Sequence, residues 1–263
     1  MNWASTPLGM DFNNWLLVFL RISAFLLVLP FFSAVNFPVM MRIALAALGS
    51  MLLAPTLPPY PLEHLPIFSL IGLMIQEVSV GLLLGFIARM IFFAVDLAGN
   101  IISTEMGLQM ASVFNPMTNA TTQVPGTILF YLASIVMLTL DLHHWMLLGF
   151  ERTYDVLPMG AAHLNTALFE SVVKSTNNIF IIALQISAPI IAVSFVVSVV
   201  FAVLSRAVPQ MNVFSESFSF RIVGGLIVFG FTLQLTAQHV VNWLNRLPDD
   251  LLRVAQLLGG GAL

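Results

Sequence analysis

Ionisable side chains inside the apolar stretches of this sequence are the first candidates for chemistry. A charge in an apolar segment is costly, so each needs a partner charge, a hydrogen-bonding network or a water-filled cavity. The residues concerned are Arg21, Glu77, Arg89, Asp96 and Asp141. Arg89 and Asp96 are seven residues apart, close to two helical turns, so they share one helix face. We interpret this set mainly as structural salt bridges and polar segment ends, rather than as a proton relay.

Two histidines follow an aspartate in the short sequence DLHHW, a composition that could bind a metal ion or carry protons. The residues are Asp141, His143 and His144. Residues i and i+2 point to different faces of a helix, and no further ligand at i+4 completes a cluster. The chain has no cysteine, which excludes disulfides and thiolate metal sites. We therefore predict no metal site and no cofactor.

Methionines suggest another chemistry, because thioethers bind soft ions such as Cu(I). Met106, Met110 and Met117, together with Met40 and Met41, would suit a metal-ion or small-molecule permease. Such a transporter should show inverted repeats or broken helices around a midplane site, and the sequence has no convincing repeat. Motifs of hydrolases, NTPases and dinucleotide-binding enzymes are also missing. We predict no catalytic activity and keep the permease as the alternative.

The composition indicates whether these residues belong to a soluble protein or to a membrane protein. Hydrophobic residues make up 59% of the 263 residues and charged residues 8%, against about 25% charged in an ordinary soluble domain. Because so few charges cannot cover a globular surface, we predict an integral membrane protein or a buried part of a larger assembly. The net charge is −3 and Lys174 is the only lysine. Nucleic-acid binding therefore has no electrostatic basis.

Six apolar runs predict the elements that position these residues. Their bounds are Phe12–Phe32, Val39–Ala54, Ile67–Asp96, Thr127–Phe150, Asn177–Leu204 and Phe218–Leu244. About 20 residues cross a bilayer core, so four or five of the runs are long enough. No strand-like alternation is visible, and we predict an all-α fold of about six long hydrophobic helices arranged as hairpins.

Small residues in two of these runs predict close helix packing. Gly81 and Gly85 have the GxxxG spacing that lets another backbone approach closely. The fifth run repeats a small-xxx-small pattern that includes Ser194 and Ser198. This packing suits another helix of the same chain as well as a helix of another subunit.

A polar but almost uncharged stretch, residues 100–126, connects the third and fourth runs. Its only charge is Glu105, and the rest is rich in Asn, Gln, Thr, Ser and Met around Phe114. Methionine repacks easily around varied surfaces, and amide side chains can bond to each other, to backbone or to water. Gly107 offers a place to bend. The residues alone allow either an exposed connector or a functional loop.

Two stretches together resemble the FliR family of flagellar export-gate proteins, called SctT in virulence type III secretion systems. They are DLAGNIISTEMGLQMASVFNP (Asp96–Pro116) and RAVPQMNVFSESFSFRIVGGLI (Arg206–Ile227). The specific parts are x-G-L-x-M-A and R-x-x-P-Q-x-N-x-F, whereas the rest of the resemblance, over nearly the whole chain, is hydropathy. The wording GLQMA looks more flagellar than injectisome-like.

The resemblance implies an architecture and a set of partners. A FliP-like part, residues 1–176, would precede a FliQ-like hairpin and tail, residues 177–263. One copy of the chain would join several FliP-like and FliQ-like subunits in an export gate, a structural pore for unfolded export substrates. The gate would lie in the bacterial inner membrane at the flagellar basal body and would contact an FlhB-type switch protein.

The resemblance also implies roles for two groups of residues. The loop would reach into the lumen and help to plug it, with the plug formed by Met106, Gly107, Leu108, Gln109, Met110, Phe114, Asn115, Pro116 and Met117. The hairpin bend would be formed by Arg206, Pro209, Gln210 and Asn212. In that bend Pro209 breaks the helix, and Gln210 and Asn212 can bond the freed carbonyls. Glu216 and Arg221 depart from the family pattern, and we expect them to pair with each other or with a neighbour.

Overall fold

The computed structural model describes residues 12–30, 32–33, 37–60, 66–110, 123–163, 165–208, 210 and 212–260. Within these ranges every regular element is helical. The α-helices in chain order are α1 (Phe12–Val28), α2 (Val39–Leu53), α3 (Ile67–Glu105), α4 (Val124–Thr139), α5 (Leu142–Val156), α6 (Thr166–Ala207), α7 (Val213–Leu244) and α8 (Leu247–Leu258); a 3-10 turn, Ala54–Thr56, follows α2. The predicted all-α, membrane-type fold is confirmed.

Three of the helices are longer than a bilayer requires. Helices α3, α6 and α7 contain 39, 42 and 32 residues, which correspond to about 48–63 Å at 1.5 Å per residue. The described ranges contain four stretches long and apolar enough to cross a membrane, or five if α4 and α5 form one broken span. Helix α1 contains 17 residues and is too short to count among them.

Three local features differ from the sequence prediction. The run Thr127–Phe150 is two helices, because Asp141 adopts a left-handed backbone conformation with φ of 53°. Helix α3 continues to Glu105 and α4 begins at Val124, so both ends of the predicted 100–126 loop are helical. Helix α8 was not predicted; its apolar residues face the protein while Asp249 and Asp250 occupy its first turn.

The chain forms two compact units, which we call unit 1 and unit 2. Unit 1 combines Met1–Met90, Asp141–Ser175 and Asn245–Leu263. In it, Gly81 and Gly85 of α3 lie against α1 so closely that a Cβ at Gly85 would be 2.9 Å from the carbonyl oxygen of Phe25. The GxxxG motif therefore packs within the chain. The Phe25 ring also stacks on Phe150 of α5, with the ring centroids 4.4 Å apart.

Unit 2 combines Ile91–Leu140 with Thr176–Leu244. It thus contains the end of α3, all of α4, most of α6 and all of α7. One boundary, at Thr176, coincides with the predicted start of the FliQ-like part. Residues Asn245–Leu263, which that prediction joined to the hairpin, belong to unit 1. The division into FliP-like and FliQ-like parts stays a prediction.

Candidate functional site: the base of the polar loop

The polar loop begins where α3 is closed by a glycine. The Gly107 N–H donates to the Thr104 carbonyl at 3.0 Å and the Leu108 N–H donates to the Ser103 carbonyl at 3.0 Å. Gly107 has φ of 76°. These two bonds and a left-handed glycine form a Schellman motif, which pairs carbonyls that a helix end leaves free. The direction in which the chain leaves α3 is therefore set by its own backbone.

The first residues of the loop are seated on α7. Met106 is 0% exposed, and a Cβ at Gly225 would lie 2.7 Å from its Cγ and 3.3 Å from its Sδ. A Cβ at Gly107 would collide with the ring of Phe218. Two glycines thus make room for two large side chains, one from each segment. Met106 therefore acts as a buried anchor for the loop.

A series of hydrogen bonds links the same place to α6. Ser194 Oγ donates to the Glu105 carbonyl at 3.1 Å, and Ser198 Oγ donates to the Ser194 carbonyl at 2.6 Å. Arg221 Nη2 of α7 donates to Ser198 Oγ at 2.9 Å. Arg221 was expected to pair with Glu216 or with a neighbour, and among the described contacts its guanidinium binds this serine of α6. Three helices are therefore joined where the loop starts.

The far end of the loop is held against α3. A Cβ on Gly99 would overlap the backbone of Gly126 at the start of α4, so these two helices touch through their backbones. Pro125 is buried at the first turn of α4, where its missing N–H costs nothing. The Thr127 N–H donates to the Gln123 carbonyl at 2.9 Å. Both ends of the loop are consequently fixed within unit 2.

The predicted plug residues divide into described and undescribed groups. Met106 is buried, Leu108 and Met110 are half-buried and Gln109 is exposed, with Gly107 closing the helix. Among these, the Met110 N–H donates to the Gly107 carbonyl at 3.1 Å. The remaining predicted plug residues, Phe114, Asn115, Pro116 and Met117, lie outside the described residues.

The predicted bend residues are only partly described by the structure. Arg206 and Gln210 are exposed, and Pro209 lies outside the described residues. Asn212 was expected to bond carbonyls left free by the bend, and this stays a prediction because its neighbours at positions 209 and 211 lie outside the described residues. Its Oδ1 accepts the Ser215 N–H at 3.4 Å, because the residue precedes α7 and serves as an N-cap.

A buried ion pair organises unit 1. Arg21 Nε donates to Glu77 Oε2 at 2.5 Å and Arg21 Nη2 donates to Oε1 at 3.0 Å, and both side chains are essentially unexposed. The Gly160 N–H donates to the same Oε1 at 2.9 Å, while Arg21 Nη1 donates to the Leu157 carbonyl at 3.1 Å. The guanidinium also lies 4.2 Å from the ring centroid of Tyr154. Every oxygen of the carboxylate is thus satisfied, as a buried charge requires.

The other ionisable residues flagged in the sequence have different environments. Arg89 donates to the Val28 carbonyl at 3.3 Å, and Asp96 and Asp141 are exposed. Of the salt bridges predicted for this set, the described contacts show Arg21 with Glu77 and a weak, exposed Asp141–His144 pair.

The DLHHW residues come together in a way that the sequence argument excluded. One ligand atom from each of Asp141, His143 and His144 lies within 4.8 Å of the others. The prediction assumed that all three residues lie in one continuous helix. Asp141 instead precedes α5 and has a left-handed backbone. Its carboxylate can therefore turn towards the first helical turn.

Sequence reasoning missed the partners of the loop base. Gly225 and Phe218 lie in the second family-like stretch, but nothing in their types or spacing indicated contact with Met106 and Gly107. Ser194 was noted only as a small residue for packing. Its distance of 89 residues from Glu105 hides the hydrogen bond from any local pattern.

Together these features define the class of protein: an all-α, membrane-type protein in which a polar loop is anchored at both ends. A family model described as "Bacterial export proteins, family 1" matches residues 12–247, so the chain belongs to this family. It is 34% identical to the flagellar biosynthetic protein FliR of Bacillus subtilis (strain 168), over 94% of this chain and 96% of that protein. The predicted FliR/SctT membership is confirmed.

Other relatives align over similar lengths. The flagellar biosynthetic protein FliR of Pectobacterium carotovorum subsp. carotovorum is 30% identical, over 92% of this chain and 97% of that protein. The FliR of Escherichia coli (strain K12) is 28% identical, over 91% and 92%. The similarity thus covers both units.

Proposed function

We propose that this chain is a structural subunit of the flagellar type III export gate, and that residues 106–123 form part of the plug of its pore. Family membership and the names of the relatives support the export role over the permease alternative. The observation that carries the plug role is the anchoring of both ends of the loop on helices of one unit.

Anchored ends and an uncharged middle suit a reversible seal. A loop that opens for unfolded substrates of any sequence should close by soft packing rather than by fixed ion pairs. Residues 111–122 contain no charged side chain, so opening breaks no ion pair. The base stays in place because Met106 and Gly107 are packed on α7. Only the residues beyond the base need to move.

The exposed apolar surface agrees with assembly in a membrane. Met40 and Leu52 of α2 are 85% and 77% exposed, and Phe231 of α7 is 81% exposed. An isolated soluble chain would not leave such residues in water. In this proposal FliP-like and FliQ-like subunits and lipid cover them, in the bacterial inner membrane at the flagellar basal body. The bend between α6 and α7 is then available to an FlhB-type partner.

A permeability measurement tests the plug. Residues 111–122 are replaced by a Gly/Ser linker of equal length, and the gate is assembled with its partner subunits. We expect the variant gate to conduct small ions in a planar bilayer, while the unaltered gate stays closed. The same replacement of residues 61–65 is the control and should leave the gate closed. A normally assembled loop variant that does not leak would contradict the plug.

A further inference from the structure

The cluster Asp141, His143 and His144, which we call the DHH cluster, is not used by the proposed gate function. All three residues belong to unit 1 and lie between the end of α4 and the first turn of α5. Asp141 and His144 are exposed and His143 is half-buried. Two of the three side chains are therefore not enclosed by the protein itself.

One distance in the cluster suits a shared metal ion better than a direct hydrogen bond. His144 Nδ1 lies 3.6 Å from Asp141 Oδ1, too long for a hydrogen bond between these atoms. Two ligand atoms that are each about 2.0–2.1 Å from a tetrahedral zinc ion are separated by about 3.4 Å. This one separation is close to that value, whereas the three ligand atoms together lie within 4.8 Å of one another, so their side chains must rotate closer to share one ion. An ion pair between two exposed side chains would contribute little by itself.

One further observation indicates a missing ligand. His143 Nδ1 is buried and has no hydrogen-bond partner among the described residues, and such an atom is costly unless something satisfies it. Asp141 is the one non-glycine residue of the described chain with positive φ. Aspartate tolerates this conformation better than most residues, and here it brings the carboxylate beside the first turn of α5.

We propose that the DHH cluster binds a divalent transition-metal cation of the zinc type. Two imidazoles and one carboxylate are a donor set that zinc commonly accepts, with a fourth position left for water. The bound ion would tie the left-handed residue before α5 to the first turn of that helix.

The site is tested by metal binding to the full chain, assembled with its partner subunits in detergent and stripped with a chelator. Zn²⁺ is titrated by calorimetry, and Co²⁺ serves as a spectroscopic probe. We expect saturable binding of one ion per copy of this chain. The variant His144→Ala should lose it or weaken it by more than about tenfold, the loss that even outer-shell changes produce.

Two further variants keep the result decisive. Asp141→Asn retains a residue type that tolerates left-handed backbone but removes the charged ligand, so it should also weaken binding in a folded chain. His239→Ala removes an exposed histidine of α7 outside the cluster and should bind as the unaltered chain does. Equal Zn²⁺ affinity in all four proteins, or no stoichiometric Zn²⁺ binding, would overturn the proposal.

Discussion

The buried ion pair of unit 1 gives the prediction with the best-defined magnitude. Glu77→Gln removes the negative charge but keeps an amide oxygen that can still accept the Gly160 N–H. The amide NH₂ group would then face a donor of Arg21, where Oε2 now accepts at 2.5 Å. Because both side chains are essentially unexposed, the guanidinium would keep a buried charge without a counterion.

The expected loss is about 3–5 kcal/mol in the free energy of unfolding, the cost of leaving one member of a buried pair alone. The double variant Arg21→Met/Glu77→Gln removes the orphaned charge and keeps the bond to Gly160. It loses the bond from Arg21 to the Leu157 carbonyl, which costs about 1–3 kcal/mol. We therefore expect the double variant to be more stable than Glu77→Gln alone.

The assay is denaturant-induced unfolding of the chain, assembled with its partner subunits in detergent micelles and followed by tryptophan fluorescence. Glu170→Gln, which changes an exposed carboxylate on α6, is the matched control and should leave the transition unchanged. A free energy of unfolding for Glu77→Gln within about 1 kcal/mol of that of the unaltered protein would contradict this expectation. A double variant less stable than the single one would refute it too.

Two further predictions concern the base of the loop. Gly107→Ala forces a side chain into left-handed backbone and against the Phe218 ring, so it should lower the free energy of unfolding by at least about 2 kcal/mol. A Cβ at Gly230 would have nothing within 4 Å, so Gly230→Ala is the control and should not lower the free energy of unfolding in the same assay. Ser194→Ala removes the bond to the Glu105 carbonyl and should cost about 1 kcal/mol, and it should also speed proteolysis of residues 111–122. Ser187→Ala is the control, because the hydroxyl of the buried Ser187 bonds to carbonyls of α6. Equal proteolysis rates in the two serine variants would contradict a role of Ser194 in anchoring the loop.

The long helices were predictable because only lipid or other protein can cover hydrophobic runs of this length. The end of α3 was not, since residues 100–105 look polar enough for a loop. In the structure Ser103 Oγ donates to the Gly99 carbonyl at 2.8 Å, and Thr104 Oγ1 donates to the Asn100 carbonyl at 2.9 Å. Their polar groups are thus satisfied inside the helix, and polarity alone does not end it.

Two other features differ in how visible they are in the sequence. Helix α8 carries start signals, with Pro248 in its first positions and Asp249 and Asp250 in its first turn, and these signals could have predicted it. The left-handed Asp141 was not predicted, because DLHHW contains no glycine or proline that would mark a break in the helix. The same backbone conformation that breaks the helix also assembles the DHH cluster.

The ion pair and the loop base show the limit of local reasoning. The sequence marked Arg21 and Glu77 as costly, but their separation of 56 residues gives no indication that they pair. Gly107 was correctly expected to bend the chain. Its contact with Phe218 depends on how α7 packs, which is decided by many apolar contacts at once.

We propose that the loop lies in the path of the exported chain, and site-specific crosslinking in the assembled gate can test this. The chain has no cysteine, so single cysteines at Met110 and Phe114 can be placed without background, with Leu52, 77% exposed on α2, as the control position. A cysteine-bearing export substrate is stalled in the assembled gate by a tightly folded domain at its end. We expect crosslinks to the substrate from positions 110 and 114 and not from position 52. Active export without any crosslink from the two loop positions would contradict it.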